Sequence, residues 1–412
     1  MFSLVLAGEA IFLLPFHVSR HFRPTFVEVF GVDQTSLGML GTIYGVVATF
    51  AYIFGGGFAD RFQPRKLLAA SLAATGLSGL YMATLPSYAG MCGLFAFWGL
   101  STILPFWSAL IRAVRDWGGE TRQGAAFGVL DGGRGLMAGV LGMLAFALFS
   151  LCFPERAEPV TDAQRVEGLK SVIYVYTAAC FIAAACVYAC IPDSKMDRPQ
   201  ANGPRPGRSG PAAADFWECL RMPAVWLQAA VIVAAYSLFK ARDFYTQYAR
   251  DVWEWTEVET AGLSTLSIWL RPAAAVGAGL LADRLSATRV VCGCFLMTAA
   301  AYVSFIFSSP PTSPMVLLWI NVVVSCLGMF ALRGGYFALL EESRIPRRMT
   351  GTAVGVVSFI GFTPEMFMPL LGGMIIDHWG GGLTGYRVVF GILLGMSVLG
   401  VAAALLLRRA HR

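Results

Sequence analysis

The sequence predicts an all-α membrane protein with twelve transmembrane helices in two pseudo-symmetric six-helix halves. Three observations predict it. Of its 412 residues, 57% are apolar and 14% charged, with a mean hydropathy of +0.64, whereas a soluble domain is about 25% charged. Windows free of charge and long enough to cross a bilayer recur at Gln34–Ala59, Ser171–Pro192, Met222–Phe239 and Val388–Leu407. Half of the chain is also repeated. Gly56 stands four residues before Asp60-Arg61, and Gly279 stands four before Asp283-Arg284, each at the end of an apolar segment. After each copy comes a long run without Asp, Glu, Lys or Arg, 67–111 and 290–332, split by the turn signals 85–90 and 308–314. A spanning helix needs about 20 apolar residues, so each run holds two.

In order, the spans are expected at 3–28, 35–59, 66–86, 90–112, 123–151 and 168–191, then 221–248, 258–281, 288–308, 314–340, 349–376 and 384–408. The first lacks a basic leader region and a small-x-small cleavage site and carries Glu9, so it reads as a span and not as a signal peptide. Residues 193–220, rich in Pro, Gly and basic side chains, form a polar linker between an N-terminal half (1–192) and a C-terminal half (221–412). The repeat continues past the Asp-Arg copies, since Gly124-Ala-Ala-Phe-Gly128 answers Gly351-Thr-Ala-Val-Gly355. Repeats of this length in membrane-spanning sequence are the signature of a secondary transporter.

The net charge of +6 does not point to nucleic acid. Basic residues gather in alternate loops (Arg61, Arg65 and Lys66; Arg112, Arg115 and Arg122; Lys195 to Arg221; Arg284 and Arg289; Arg344 to Arg348; Arg408 to Arg412), while the intervening loops have few. This positive-inside pattern puts both termini in the cytoplasm of a multi-pass inner-membrane protein. The nine cysteines contain no CxxC pair and most fall inside apolar helices, where they pack as small residues. No GxxxxGK[ST] loop, nucleophile–base set or metal-ligand cluster is present, so neither an enzyme nor a cofactor is expected.

Charged residues inside spans cost about 2.5–3.5 kcal/mol each at a helix centre and should face a cavity or a partner. They are Glu9, His17 and Arg20 in span one, Asp131 and Arg134 in span five, and Lys240, Arg242 and Asp243 in span seven. Arg271, Arg333 and Glu365 follow in spans eight, ten and eleven. Ser19-Arg20-His21-Phe22 matches Ala241-Arg242-Asp243-Phe244 in the repeat, which would set two arginines across the pseudo-two-fold axis. Arginine forks suit phosphate, sulfonate or carboxylate, so Arg20, Arg134, Arg242, His17, Lys240 and Arg333 are substrate-binding candidates. Trp98, Phe106, Trp107, Tyr336 and Phe337 are expected to line the cavity. Glu9, Asp131 and Glu365 are candidate proton carriers, because burial raises a carboxyl pKa. Plainer roles stand beside these. Asp131 and Arg134, three apart, would neutralise each other. Arg242 would pair with Asp243 at the outer mouth, Glu9 would serve the Arg20 neighbourhood, and Glu365 would serve Arg333.

Twelve spans, two halves, a central loop and Asp-Arg motifs after spans two and eight resemble the major facilitator superfamily across essentially the whole chain. The motif reads Gly56-Gly-Phe-Ala-Asp60-Arg61-Phe-Gln63-Pro64-Arg65-Lys66, and its Gln63-Pro64 departure is similar to the organophosphate:phosphate antiporter branch. The resemblance implies a conformational latch of Gly56, Asp60, Arg61 and Arg65 with Gly279, Asp283 and Arg284. Asp60 would face the start of span eleven at Thr350-Gly351, and Asp283 the start of span five at Gln123-Gly124. It also implies a phosphate-binding arginine in each of spans one and seven, with Asp131-Gly-Gly-Arg134 in the place of the branch's Asn-x-x-His. The branch's span-two lysine is absent from Phe50-Ala-Tyr-Ile53, and His17 competes with Arg20 as the span-one match.

The implied activity is alternating-access movement of a small organic anion, with a coupling ion or counter-substrate, by a monomer in the lipid bilayer. Proton-driven export of drugs or neutral metabolites is the alternative within the class. A transporter-like sensor that signals without net flux is the alternative outside it.

Overall fold

A computed structural model describes residues 1–59, 62–118, 123–153, 160–191, 213–310, 312–336, 339 and 350–409. Among the described residues ten helices are long and apolar enough to cross a membrane. They are Phe2–His21, Pro64–Ala83, Tyr88–Val114, Val129–Ser150, Asp162–Cys190, Pro223–Trp253, Ala287–Phe307, Met315–Arg333, Val356–His378 and Leu383–Arg409. Gln34–Ala59 and the broken helix Glu257–Ser267 with Leu270–Arg284 complete the twelve expected segments. They are numbered below as spans one to twelve in chain order.

Span six starts at Asp162, six residues before its apolar stretch, because Thr161 and Gln164 form a capping box that carries the helix through a polar turn. Span seven runs on to Trp253 through a stretch whose polar residues, Arg242, Asp243, Thr246 and Gln247, are buried against protein. Hydropathy ends such a helix too early. Span two opens on Asp33, whose carboxylate accepts the Ser36 N–H at 2.7 Å. The hydrogen bonds from Ser36 hold the Asp33 pKa below its usual 3.8. Since the folded value lies below the unfolded one, this cap stabilises above the unfolded pKa, and its contribution is lost as pH falls through the folded one. Asp33→Ala is expected to cost about 1 kcal/mol at neutral pH. The difference should vanish on acidification, as melting curves of the two proteins across pH would record.

Prolines break the helices inside the membrane region. Span one passes through a π-helical turn at Leu13–His17 containing Pro15, and span four through another at Thr102–Trp107 containing Pro105. Span eight is interrupted just before Pro272, and span eleven just before Pro364. A proline lacks the N–H for the ladder and clashes with the preceding turn. Such wide turns are frequent at functional sites.

The chain packs as two compact units. The first holds Met1–Asp193, Arg242–Pro272 and Met366–Tyr386, and the second Ser194–Ala241, Ala273–Glu365 and Arg387–Arg412. The first therefore joins spans one to six to the adjoining parts of spans seven, eight and eleven. Its core is an apolar cluster around Leu14, Trp98, Phe106, Phe149 and Tyr176. The Trp98 indole donates to Ser78 Oγ at 2.7 Å, which supplies the partner that a buried N–H needs. In the second unit Phe305 and Phe390 stack at 4.5 Å beside Tyr302, tying span nine to span twelve.

Candidate functional site

In the first unit, the site is built around Glu9. Its carboxylate is 3% exposed on span one. One oxygen stands 3.4 Å from His17 Nε2, and the other 3.3 Å from Arg134 Nε. The Arg134 guanidinium lies over Phe12 at 5.5 Å and Trp107 at 5.7 Å, so two rings hold its plane. Its stem passes Gly8, where a Cβ would stand only 3.1 Å from Arg134 Cδ. Tyr176 of span six completes the surroundings, its ring 6.1 Å from that of His17. The Tyr176 hydroxyl is buried without a hydrogen-bond partner among the described residues. The Arg134 guanidinium is thus held over two rings and faces the buried Glu9 carboxylate, a fork of the kind that suits anions.

Farther along span one, Arg20 Nε donates to Asp243 of span seven, and both side chains are largely buried. The Thr246 hydroxyl also donates to the Arg20 carbonyl. Arg20 is thus engaged by a carboxylate of the residue that follows Arg242. Arg242 itself is 4% exposed. Removing one member of a buried pair leaves an uncompensated charge, typically at about 3–5 kcal/mol, while replacing both costs far less. Arg20→Ala should lower the melting temperature markedly, and Arg20→Ala with Asp243→Ala should recover most of it. Additive losses in that double-mutant cycle would show that the two side chains do not act as a pair.

Turns 31–33, 84–87, 254–256 and 379–382, each after an odd-numbered span, define one end of the first unit, here called the odd-turn end. Four charged residues interlock there. Glu28 meets Arg165 at 2.5 Å and Arg250 at 3.0 Å, while Glu257 meets Arg250 at 2.8 Å and Arg165 at 3.1 Å. Below them, Asp377 near the end of span eleven accepts the N–H groups of Gln34 and Thr35, at 3.2 and 2.5 Å, at the start of span two. A carboxylate on a helix N-terminus satisfies orphan donors and meets the positive end of the helix dipole. Spans two and eleven touch backbone to backbone here. A Cβ on Gly38 would stand 2.3 Å from the Pro369 carbonyl oxygen, and one on Gly373 2.2 Å from that of Gln34. Thr42 Oγ also donates to the Met366 carbonyl at 2.6 Å.

In the second unit, Lys240 Nζ is 3.0 Å from Glu365, whose other oxygen accepts the Tyr236 hydroxyl at 2.6 Å. Arg333 lies over Phe239 at 4.2 Å and over Tyr236 at 5.9 Å. Tyr336, 4% exposed, offers its carbonyl to Gln228 Nε2 at 2.6 Å.

Several expected partnerships change. Asp131 and Arg134 each meet an opposite charge on another span. Asp131 reaches Arg271 of span eight at 2.7 Å, and Arg134 reaches Glu9 of span one at 3.3 Å. The Asp131 side chain is 62% exposed, so the burial on which its candidacy as a proton carrier rested is missing. Glu9 meets Arg134 and His17, and Glu365 meets Lys240 and Tyr236. Of the latch, Asp60 and Arg61 lie outside the described residues, as do the side chains of Asp283 and Arg284 and residue Phe337. Gly56 and Gly279 lie within helices, and Arg65 stacks over Tyr188 at 4.7 Å. Reading residues alone passed over Tyr176, Tyr236 and Asp377. Tyr236 carried a signal, one helical turn before Lys240.

The Major Facilitator Superfamily sequence profile matches residues 10–364. This chain belongs to that superfamily. It is 25% identical to the Inner membrane protein YihN of Escherichia coli (strain K12), covering 99% of this chain and 94% of the relative. It is 28% identical to the Inner membrane protein YqcE of the same organism, over 90% and 85% of the two chains. Among solved structures, the nucleoside transporter NupG superposes with a TM-score of 0.73 at 13% identity, covering 98% of each chain. A bacterial homologue of the human lysosomal transporter Spinster, in an inward-facing and unoccupied conformation, gives 0.72 at 14%, over 99% and 95%. At these identities the structural likeness establishes the fold. As a major facilitator the protein is a transporter with a small-molecule substrate, spanning the bilayer many times, and not an enzyme.

Proposed function

We infer that this major facilitator moves a small organic anion, a phosphate ester, sulfonate or carboxylate, across the inner membrane by alternating access with both termini in the cytoplasm. The two sequence halves, 1–192 and 221–412, joined by the 193–220 linker, supply the moving parts. Arg134 carries this reading. It is a guanidinium held over two aromatic rings in the first unit, facing a buried carboxylate, Glu9, whose place an anion can take. An incoming anion takes the place of Glu9 on the fork. The released carboxylate, still buried, is costly as a lone charge and takes up a proton. Substrate and proton then occupy the site together, and the same displacement would serve exchange for phosphate. Within the second unit, Lys240 and Arg333 are separate candidates for binding an anion, and Glu365 is a second candidate carboxylate for proton coupling.

The neutral pairing of Lys240 with Glu365 also suits proton-driven export of an uncharged compound. The two readings separate in one experiment. Purified protein is melted with a panel of phosphates, sulfonates and carboxylates beside neutral sugars and cationic drugs. A ligand at one hundred times its Kd adds about 2.7 kcal/mol to the folded state. Stabilisation by an organic anion that disappears in Arg134→Ala is the expected result. Stabilisation only by neutral or cationic compounds, untouched by Arg134→Ala, would sink the anion reading and favour export.

A further inference from the structure

Span one carries two histidines beyond Glu9. His17 is 5% and His21 1% exposed, and their rings meet edge to face at 4.9 Å. His17 turns Nε2 to Glu9 at 3.4 Å. His21 turns Nδ1 to Ser264 Oγ of span eight at 2.6 Å. The two remaining ring nitrogens, His17 Nδ1 and His21 Nε2, are buried and have no hydrogen-bond partner among the described residues. A buried polar atom left unpaired is costly and calls for a reason. Here the order along the helix supplies one: carboxylate, ring, ring, hydroxyl, with both outer contacts made and both inner nitrogens open. At 1.5 Å per residue the twelve residues from Glu9 to His21 cover about 18 Å, roughly half a bilayer, toward the odd-turn end.

We propose that His17 and His21 form a proton relay between Glu9, at the Arg134 site, and Ser264 beneath the odd-turn end. This rests on proton uptake by Glu9 as described above. The protonated Glu9 gives its proton to His17 Nε2, and His17 releases its Nδ1 proton through one bridging water to His21 Nε2. His21 releases its Nδ1 proton to Ser264 Oγ, which passes its own hydroxyl proton to water admitted when that end opens. Each group gains one proton and loses one, and return of the rings to their starting tautomers resets the chain. The charged and titratable groups facing it are Arg134 of span five, Tyr176 of span six, Arg242 and Asp243 of span seven, Arg271 of span eight and Arg20 on span one itself.

The test uses full-length protein in lipid vesicles, with three radiolabelled probe anions (glycerol 3-phosphate, ethanesulfonate and succinate) and His21→Gln and Ser264→Ala as variants. Two rates are compared, exchange of labelled for unlabelled probe without a pH gradient and accumulation driven by one. The relay predicts that exchange is unchanged in both variants, which also shows that they fold, while gradient-driven accumulation falls by about a hundredfold. Accumulation kept in both variants overturns the relay and leaves the anion reading standing. Neither exchange nor accumulation by the wild type removes the anion reading, and the relay falls with it.

Discussion

Gly373→Leu is expected to abolish transport without unfolding the protein. At this position span eleven touches the Gln34 carbonyl of span two so closely that a Cβ would stand 2.2 Å from its oxygen. No real Cβ sits at that distance, and the obstacle is backbone, which cannot swing aside. Gly38, facing the Pro369 carbonyl at 2.3 Å, makes the same demand from the other side. The variant can still fold with the odd-turn end apart, since close approach of spans two and eleven is required only in the closed arrangement. Spin labels at the exposed positions Ala89, at the start of span four, and Glu254, on the turn after span seven, would report it. The short distance population should disappear in Gly373→Leu, while the melting temperature holds. An unchanged distance distribution with intact transport would show that the glycine contact does not govern closure. Asp377→Asn is the graded form of the same experiment. Hydrogen bonds to a charged group contribute about 1.5–3 kcal/mol, so weakening those to Gln34 and Thr35 should shift the equilibrium about tenfold toward the open end and slow transport.

The second large effect is expected at Glu9 and Arg134. Arg134→Gln leaves the Glu9 charge buried without its guanidinium partner, at a cost of about 3 kcal/mol or more. Glu9→Gln leaves the opposite charge. The double variant should regain most of the lost stability and none of the transport, which separates folding from function in one series. Glu9→Gln alone should also keep anion exchange while losing accumulation driven by a pH gradient, because Arg134 remains and the proton carrier is gone. A Glu9→Gln protein that still accumulates substrate against a pH gradient would move the coupling site to Glu365. Vesicle uptake of the stabilising anion, measured with and without the gradient, decides between them.

The amino-acid sequence by itself determined the class, the number of spans and their order. A bilayer demands about 20 apolar residues per crossing, and that requirement is local, so it is written in consecutive residues. The extensions at Asp162–Glu167 and Ala249–Trp253 escaped it for the same reason, since there capping and contacts with protein, not lipid, lengthen the helix. The list of charged residues in the spans was legible too, because each is expensive and therefore stands out. Their partners were not. Glu9 meets Arg134 across 125 positions of chain and Arg20 meets Asp243 across 223, and which charges meet depends on how each helix is rotated about its axis. A rotation of one residue, about 100°, exchanges one neighbour for another. Asp131, three residues from Arg134 and nearer in sequence than any other acid, went to Arg271 for that reason. Only tertiary packing also decided that Gly38 and Gly373 let two backbones touch, because a glycine in an apolar helix looks the same whether it faces lipid or a carbonyl.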